Sequence, residues 1–360
     1  MSFTSTKLSA RLGLKIEKTG APVWMRTLIP VIALLLTFIL TSGLIIWGQA
    51  NPLRAYYYFL VVPLSSRVSA LEVLVKSTPL ILAGVAVAFA FSAGYYNIGA
   101  EGQLYAGAAA AAWLGTVLGG LPPVLAIPLM LLGGFIAGAL WALAPALLRV
   151  KLAVDEVVTT LLLNSVILFI ISALLNGPWR DPISGWPQSP EIALSTHLPK
   201  LVARSRLHLG FVVAVVSVAV LWFVLSRTSF GLRMRAVGLG REAAHFAGVD
   251  VGRTVLVAAL VSGGIAGIAG VSEVAGIQYH LIEELSPGYG YTGIIIATLG
   301  TLNALGVAVA GLFFGLIDTG TQTLSHTLGV PIYLGEVTQA TMLLVTLGLF
   351  LLQNYRIRRA

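Results

Sequence analysis

The chain has 360 residues, of which 57% are hydrophobic and 10% charged, with a formal net charge of +8 and a mean hydropathy of +0.92. Soluble domains run near 45–50% apolar and about 25% charged, so an ordinary water-soluble enzyme is excluded and a polytopic membrane protein is indicated. The sequence has 39 glycines and no cysteine, which favours close helix packing and rules out disulfides, thiolate nucleophiles and Cys-based metal sites.

Lys7, Arg11, Lys15, Lys18 and Arg26 precede the apolar run Leu28 to Trp47. About 20 apolar residues exceed a signal-peptide core, so residues 1–27 are expected to form a cytoplasmic tail before an uncleaved first span. Further runs of spanning length lie at Thr78 to Tyr95, Gln103 to Leu121, Val124 to Leu148, Val157 to Leu175, Leu209 to Leu225, Val255 to Ile277, Tyr291 to Leu302, Leu305 to Gln322 and Val337 to Leu352. The expected architecture is therefore all-α, with about ten transmembrane helices in one domain over 28–353 and a cytoplasmic tail at 354–360. The eighth run is short enough to be re-entrant or broken. On this topology 15 of the 22 basic residues lie inside, including Arg356, Arg358 and Arg359. Retention of Lys and Arg on the cytoplasmic side explains the positive charge without nucleic acid.

Two connecting segments are long. Residues 176–208, expected outside, carry five prolines together with Trp179 and Trp186; residues 227–253, expected inside, carry Arg227, Arg233, Arg235, Arg241 and Arg253. Glycine-rich interruptions at Ala93 to Gln103 and at Pro287 to Gly293 are the pattern of a two-fold internal repeat, and equally of two ordinary loops.

No HExxH, GxSxG or P-loop motif is present, and the five histidines lack metal-ligand spacing, so no catalytic residue or metal site is assigned. If ATP drives transport, its hydrolysis belongs to another polypeptide. Ionisable and amide groups near hydrocarbon are costly unless they face protein or water. That singles out Asn97, Glu101 and Gln103 at the first interruption, Asn164 in the fifth span, and Glu273 in the seventh as candidates for the substrate pathway. Asp318 reads as the wet end of the ninth span. Glu72 and Lys76, one helical turn apart, are expected to pair with each other and carry no function. Gly263 to Gly270 and Gly311 to Gly315 read as packing faces. Gly240 to Gly248 reads as a short helix of small residues stopped by Gly248, suited either to a groove on another protein or to anionic lipid.

Five motifs carry a resemblance over nearly the whole chain after Leu71: Asn97-Ile-Gly-Ala-Glu-Gly-Gln103; Asp155-Glu-Val-Val-Thr-Thr-Leu-Leu-Leu-Asn164; Gly231-Leu-Arg-Met-Arg-Ala-Val-Gly238; Ala243-Ala-His-Phe-Ala-Gly248; and Gly288-Tyr-Gly-Tyr-Thr-Gly293 with Leu299-Gly-Thr-Leu-Asn-Ala-Leu-Gly306. The sequence resembles the permeases of ABC importers for nucleosides and simple sugars, which are related to the branched-chain amino acid permeases. The resemblance implies a type II-like importer permease in the bacterial inner membrane, working by alternating access. It places a coupling helix within 227–253, where Arg235, Glu242, Ala243, Ala244 and Gly248 meet ATPase subunits. The terminal Leu-Pro of the fuller importer motif is missing, and Gly240-Arg241 stands where relatives often carry Asn-Pro. The implied partners are an ABC ATPase subunit holding ATP-Mg, a second homologous permease, an extracytoplasmic substrate-binding protein at 176–208, and lipid; no cofactor is bound directly. The rival reading is a self-sufficient ion-coupled secondary transporter using Glu101 or Asp318.

Overall fold

The computed structural model describes residues 14–18, 23–329, 331 and 333–359. Lys7 and Arg11 of the expected N-terminal tail lie outside them. The chain divides into two compact units, one made of the described residues up to Tyr57 and from Leu324 onward, the other of Tyr58–Thr323.

In the first unit, strand β1 (Leu14–Lys18) pairs antiparallel with β2 (Tyr355–Arg359), and helix α1 (Val23–Trp47) packs on α13 (Tyr333–Asn354). The helix that follows, α2 (Pro52–Leu60), returns its Tyr56 hydroxyl to α1, where it donates to the Phe38 carbonyl and meets the hydroxyls of Thr41 and Ser42 at 3.2 and 3.0 Å.

The second unit contains α3 (Arg67–Ser92), α4 (Ala100–Val117), α5 (Pro123–Leu152), α6 (Glu156–Leu175), α7 (Gly210–Arg227), α8 (Ser229–Leu239), α9 (Arg241–Phe246), α10 (Val251–Glu273), α11 (Tyr289–Leu299) and most of α12 (Ala304–Leu328). Local chemistry sets several starts. Ser66, Asp155, Thr228 and Asp250 each accept a backbone N–H of the turn they precede, removing one of the donors a helix leaves unpaired. α5 stops at Ala153 in a left-handed conformation, with Arg149 and Lys151 in its last turn, where cations offset the helix dipole.

Helices stand at all ten apolar runs, but among the described residues six helices are long and apolar enough to cross a membrane, α3, α5, α6, α7, α10 and α12, or up to seven spans if the pair bent after Trp47 is one span. α11, at 11 residues, is about 16 Å long at 1.5 Å per residue, half of a hydrocarbon core. α3 and α10 are buried almost throughout, whereas α6 and α7 turn much of their apolar surface outward.

The buried helices meet through glycine. α10 lies against α3, α4 and α5, and at its crossing Gly107, Gly134, Gly138, Gly263 and Gly267 stand backbone against backbone. Gly315 sits over Ser77, and Gly311 over Ile81, so the expected packing faces are indeed packing faces. α10 begins beside α9 and ends under segment 176–208, roughly 34 Å away for 23 residues, so the two long connecting segments occupy opposite ends of the bundle. Segment 176–208 is fastened there by Ile192 N to Tyr279 O and Leu198 N to Ala275 O, at 3.0 and 2.9 Å.

Candidate functional site

The interruption after α3 gathers the buried polar side chains Asn97, Glu101 and Gln103. Gly94 has φ +66°, and the chain from Tyr95 to Gly99 is not helical before α4 resumes. An unwound backbone away from water leaves N–H and C=O groups that something must satisfy. Here side chains supply the partners. Asn97 accepts from Gly99 N at 2.9 Å and donates to Gln103 Oε1 and Ser262 Oγ at 2.8 and 3.0 Å. Ser262 in turn donates to the Ala86 carbonyl at 2.6 Å, tying α10 to α3. Thr160 Oγ1 accepts from Ile98 N at 3.2 Å. Asn164 accepts from Gly102 N at 2.9 Å, and donates to the Ile98 carbonyl at 2.9 Å and to the Tyr291 hydroxyl at 3.0 Å. Glu101 accepts from Gly290 N at 2.6 Å, so the two glycine-rich interruptions of the sequence pack directly on one another.

Four of the expected pathway residues, Asn97, Glu101, Gln103 and Asn164, thus join in one buried network that braces the break. The fifth, Glu273, stands apart. It lines a cavity of about 260 Å³ with Glu72, Lys76, Arg206, Gln278 and Tyr289, at the end of the bundle that carries segment 176–208. The expected Glu72–Lys76 pair does not form there. Glu72 pairs with Arg206, and Lys76 reaches Asp318 at 3.4 Å, because tertiary packing offers each a partner better placed than its helical neighbour. Asp318 is accordingly an ion-pair member on the helix face toward α3, and not a wet helix end. In segment 176–208, Asp181 caps its own turn: the Ser184 hydroxyl and the Ile183 N–H hold its carboxyl at about 2, below the usual range.

At the opposite end lies the short helix α9. Gly240 enters it in extended conformation and Gly248 leaves it at φ +81°, a conformation glycine adopts without strain. Ala244 is buried in a cluster with Ala90, Tyr95, Ala146, Val237 and Val255, so it anchors the helix. Arg235, Glu242, Ala243 and Gly248 face outward. Beside them two large apolar side chains stand free, Leu239 at 91% and Phe246 at 95% exposure.

In the sequence Arg241 stood out as one of five basic residues of its loop and as part of the Gly240-Arg241 pair, with nothing to indicate its partners. It donates to the Gly94 carbonyl at 2.7 Å and pairs with Glu156 at 3.5 Å, and Glu156 also pairs with Arg149 at 2.9 Å. Glu156 is 4% exposed, a buried carboxylate balanced by two guanidinium groups beside a cavity of about 470 Å³. Glu156, Thr160, Ser262 and Tyr291 escaped the sequence reading as functional residues. For the first two a signal existed: with Asn164 they recur every fourth residue in a mainly apolar helix.

Residues 69–352 match the family described as branched-chain amino acid transport system permease component. A glucose ABC transporter permease of Haloferax volcanii is 36% identical over 346 residues, covering 93% of this chain and 91% of that protein. A guanosine ABC transporter permease of Bacillus subtilis is 34% identical over 290 residues, covering 80% of this chain and 82% of its own length. A second guanosine permease of the same bacterium is 28% identical over 262 residues, covering 68% and 79%.

Proposed function

This chain belongs to the family of permease components of branched-chain amino acid transport systems, and from that membership we propose that it is the membrane-spanning subunit of an ATP-driven importer for nucleosides or simple sugars. The observation that carries the reading is the likeness, over four-fifths of the chain or more, to permeases named for glucose and guanosine. The chain itself is a transport component and not an enzyme; ATP-Mg is bound and hydrolysed on partner ATPase subunits.

Those subunits dock on α9, whose exposed Phe246 is held out by the buried Ala244, with the exposed Leu239 at the end of α8 preceding it. An extracytoplasmic binding protein docks on segment 176–208, whose Ile183, Trp186 and Leu194 are exposed while its backbone is fastened to the bundle. A second, homologous permease completes the membrane core, in keeping with two different guanosine permeases in one bacterium. About ten membrane helices in the inner membrane, with α4 and the half-length α11 enclosed by the protein and both termini cytoplasmic, accord with helices at all ten apolar runs and with β1 lying beside β2. The packing of the two glycine-rich interruptions on one another favours a two-fold internal repeat. The cavity holding Glu273 opens on the outer side and is where solute enters. Inward and outward states need differ by only a few kcal/mol for ligand and nucleotide to switch them.

Uptake of radiolabelled guanosine, other nucleosides, ribose and glucose in a strain lacking the gene tests the reading. At least one uptake is expected to fall to background and return with the gene. Unchanged uptake of all of them, in a strain without redundant systems, overturns it. So does ion-gradient-driven uptake by the purified chain alone in vesicles without ATPase, which is the behaviour of a secondary carrier.

A further inference from the structure

One face of α6 connects the α9 end of the bundle to its broken centre. Glu156, Thr160 and Asn164 stand at i, i+4 and i+8, and so lie above one another along a single stripe about 12 Å long. All three are buried, at 4%, 1% and 1% exposure, while their neighbours Val157, Val158, Leu161 and Leu162 on the other faces are exposed. Over this stretch the buried face of the helix is polar and these exposed side chains are apolar; beyond it the buried face continues as Ile167, Ile171 and Leu175. Hydrophobic burial cannot hold such a stripe in place in lipid, so hydrogen bonds and close packing must.

Each rung grips a different part of the interruption. At the bottom Glu156 holds Arg241, the first residue of α9, which also donates to the Gly94 carbonyl where the break begins. In the middle Thr160 takes the N–H of Ile98. At the top Asn164 holds both Gly102 N and the Ile98 carbonyl, and its remaining donor reaches Tyr291 on α11. Between Gly94 and Gly102 the chain's own bonds run mainly through Gly94 N, Tyr95 N, Asn97 N and the Asn97 side chain, so these contacts, with those of Asn97 to Ser262 and Glu101 to Gly290, fix where it sits. There is also no slack at the lower joint: a Cβ on Gly238 would meet the Ser92 carbonyl at 2.5 Å, so α8 and the end of α3 move together.

We propose that the Glu156–Thr160–Asn164 stripe is the rod that converts displacement of α9 into displacement of the broken segment and of the half-length helix α11. The proposal rests on the permease reading above. These are positioning residues: they touch neither nucleotide nor solute, and act by holding the break in register with α9. Breaking a rung then leaves ATPase docking and hydrolysis intact while uncoupling them from solute movement. A purely structural role would not have that signature, since loss of fold removes assembly, hydrolysis and transport together.

The test uses the complete complex in proteoliposomes, with ATP hydrolysis and solute uptake measured on the same preparation. Thr160→Val keeps the side-chain shape and removes the acceptor for Ile98. It is expected to co-purify with the ATPase, to hydrolyse ATP within about twofold of the parent, and to lose uptake at least tenfold; Thr160→Ser restores uptake. Glu156→Gln is expected to behave alike, and the double variant to be no worse than the more affected single one, as for groups acting in one chain. Uptake retained in Thr160→Val, or uptake and hydrolysis falling by the same factor, overturns the proposal. If Thr160→Val does not assemble, Thr160→Ala and Thr160→Ser are compared in its place, with the same expected split between hydrolysis and uptake. A parent complex that shows no ATP-driven uptake of any solute would instead sink the permease reading, so the two failures are distinguishable.

Discussion

Replacing Phe246 by aspartate is expected to strip the ATPase subunits from the complex while the permease remains folded and inserted. The ring is 95% exposed on a helix whose inward residue, Ala244, is 3% exposed and already packed, so the fold gains little from Phe246. Surface substitutions of that kind usually shift stability by no more than about 0.5 kcal/mol. An exposed aromatic that enters a pocket on a partner is the opposite case, since truncating such an anchor costs about 2 kcal/mol or more, equivalent to roughly 30-fold in affinity. A carboxylate in the same pocket adds an unpaired buried charge, so the loss is expected to exceed that of Phe246→Ala. Co-purification of the ATPase with a tagged permease, and titration of ATPase onto permease in detergent, measure it. Undiminished affinity with both variants would remove α9 as the docking element. Ala243→Arg, on the exposed side of the same helix, should act in the same direction.

The second large effect is structural. Gly267→Val is expected to abolish folded protein, because a Cβ at this position would drive into the Gly134 carbonyl and lie 3.2 Å from the Gly138 Cα. Those are backbone atoms of the facing helix, which cannot swing aside as a side chain can. Overpacking a tight core typically costs about 1–3 kcal/mol when neighbours can adjust. Here the adjustment required is separation of α10 from α5, which would also undo the contacts of Gly107, Gly138 and Gly263, so the cost lies above that range. In lipid this matters more, because association between helices depends on close packing and not on exclusion of water. Size-exclusion and thermal unfolding in detergent follow the loss. Gly43→Ala is the control: nothing lies within 4 Å of a Cβ there, and the change should be neutral or stabilise the helix by about 0.5–1 kcal/mol. If Gly267→Val unfolds at the same temperature as the parent, the glycine crossing does not set this architecture.

The two effects separate what a linear reading reaches from what it does not. Composition alone placed the chain in lipid, and the apolar runs located the long helices among the described residues, because a span must keep its backbone hydrogen bonds within itself and be apolar over a fixed length. The short helix before Gly248 and its stop were legible for a similar reason, since a left-handed residue after a helix end is a local requirement. The glycine-rich run of α10 was legible as a packing face, but not its partners.

Partner choice is where sequence reasoning stopped. Glu72 and Lys76 sit at ideal helical spacing, yet each pairs across the bundle. A solvent-exposed i,i+4 pair is worth only about 0.2–0.5 kcal/mol, so any better-placed opposite charge brought by the fold replaces it. Asn97, Glu101, Gln103 and Asn164 stood out because polar groups are costly at membrane depth. Whether such groups face a solute or their own backbone depends on what lies across from them, and here most of their capacity is turned on the break itself. Arg241 shows the limit most plainly: nothing local points it at Gly94, and only the fold brings that carbonyl, 147 residues away, to its guanidinium. Solvent class, helices and the short helix before Gly248 follow from the sequence, all being properties of periods and lengths within single segments. Which buried polar groups answer each other is settled by the packed fold, because a hydrogen bond between helices is set by distances that no local pattern encodes.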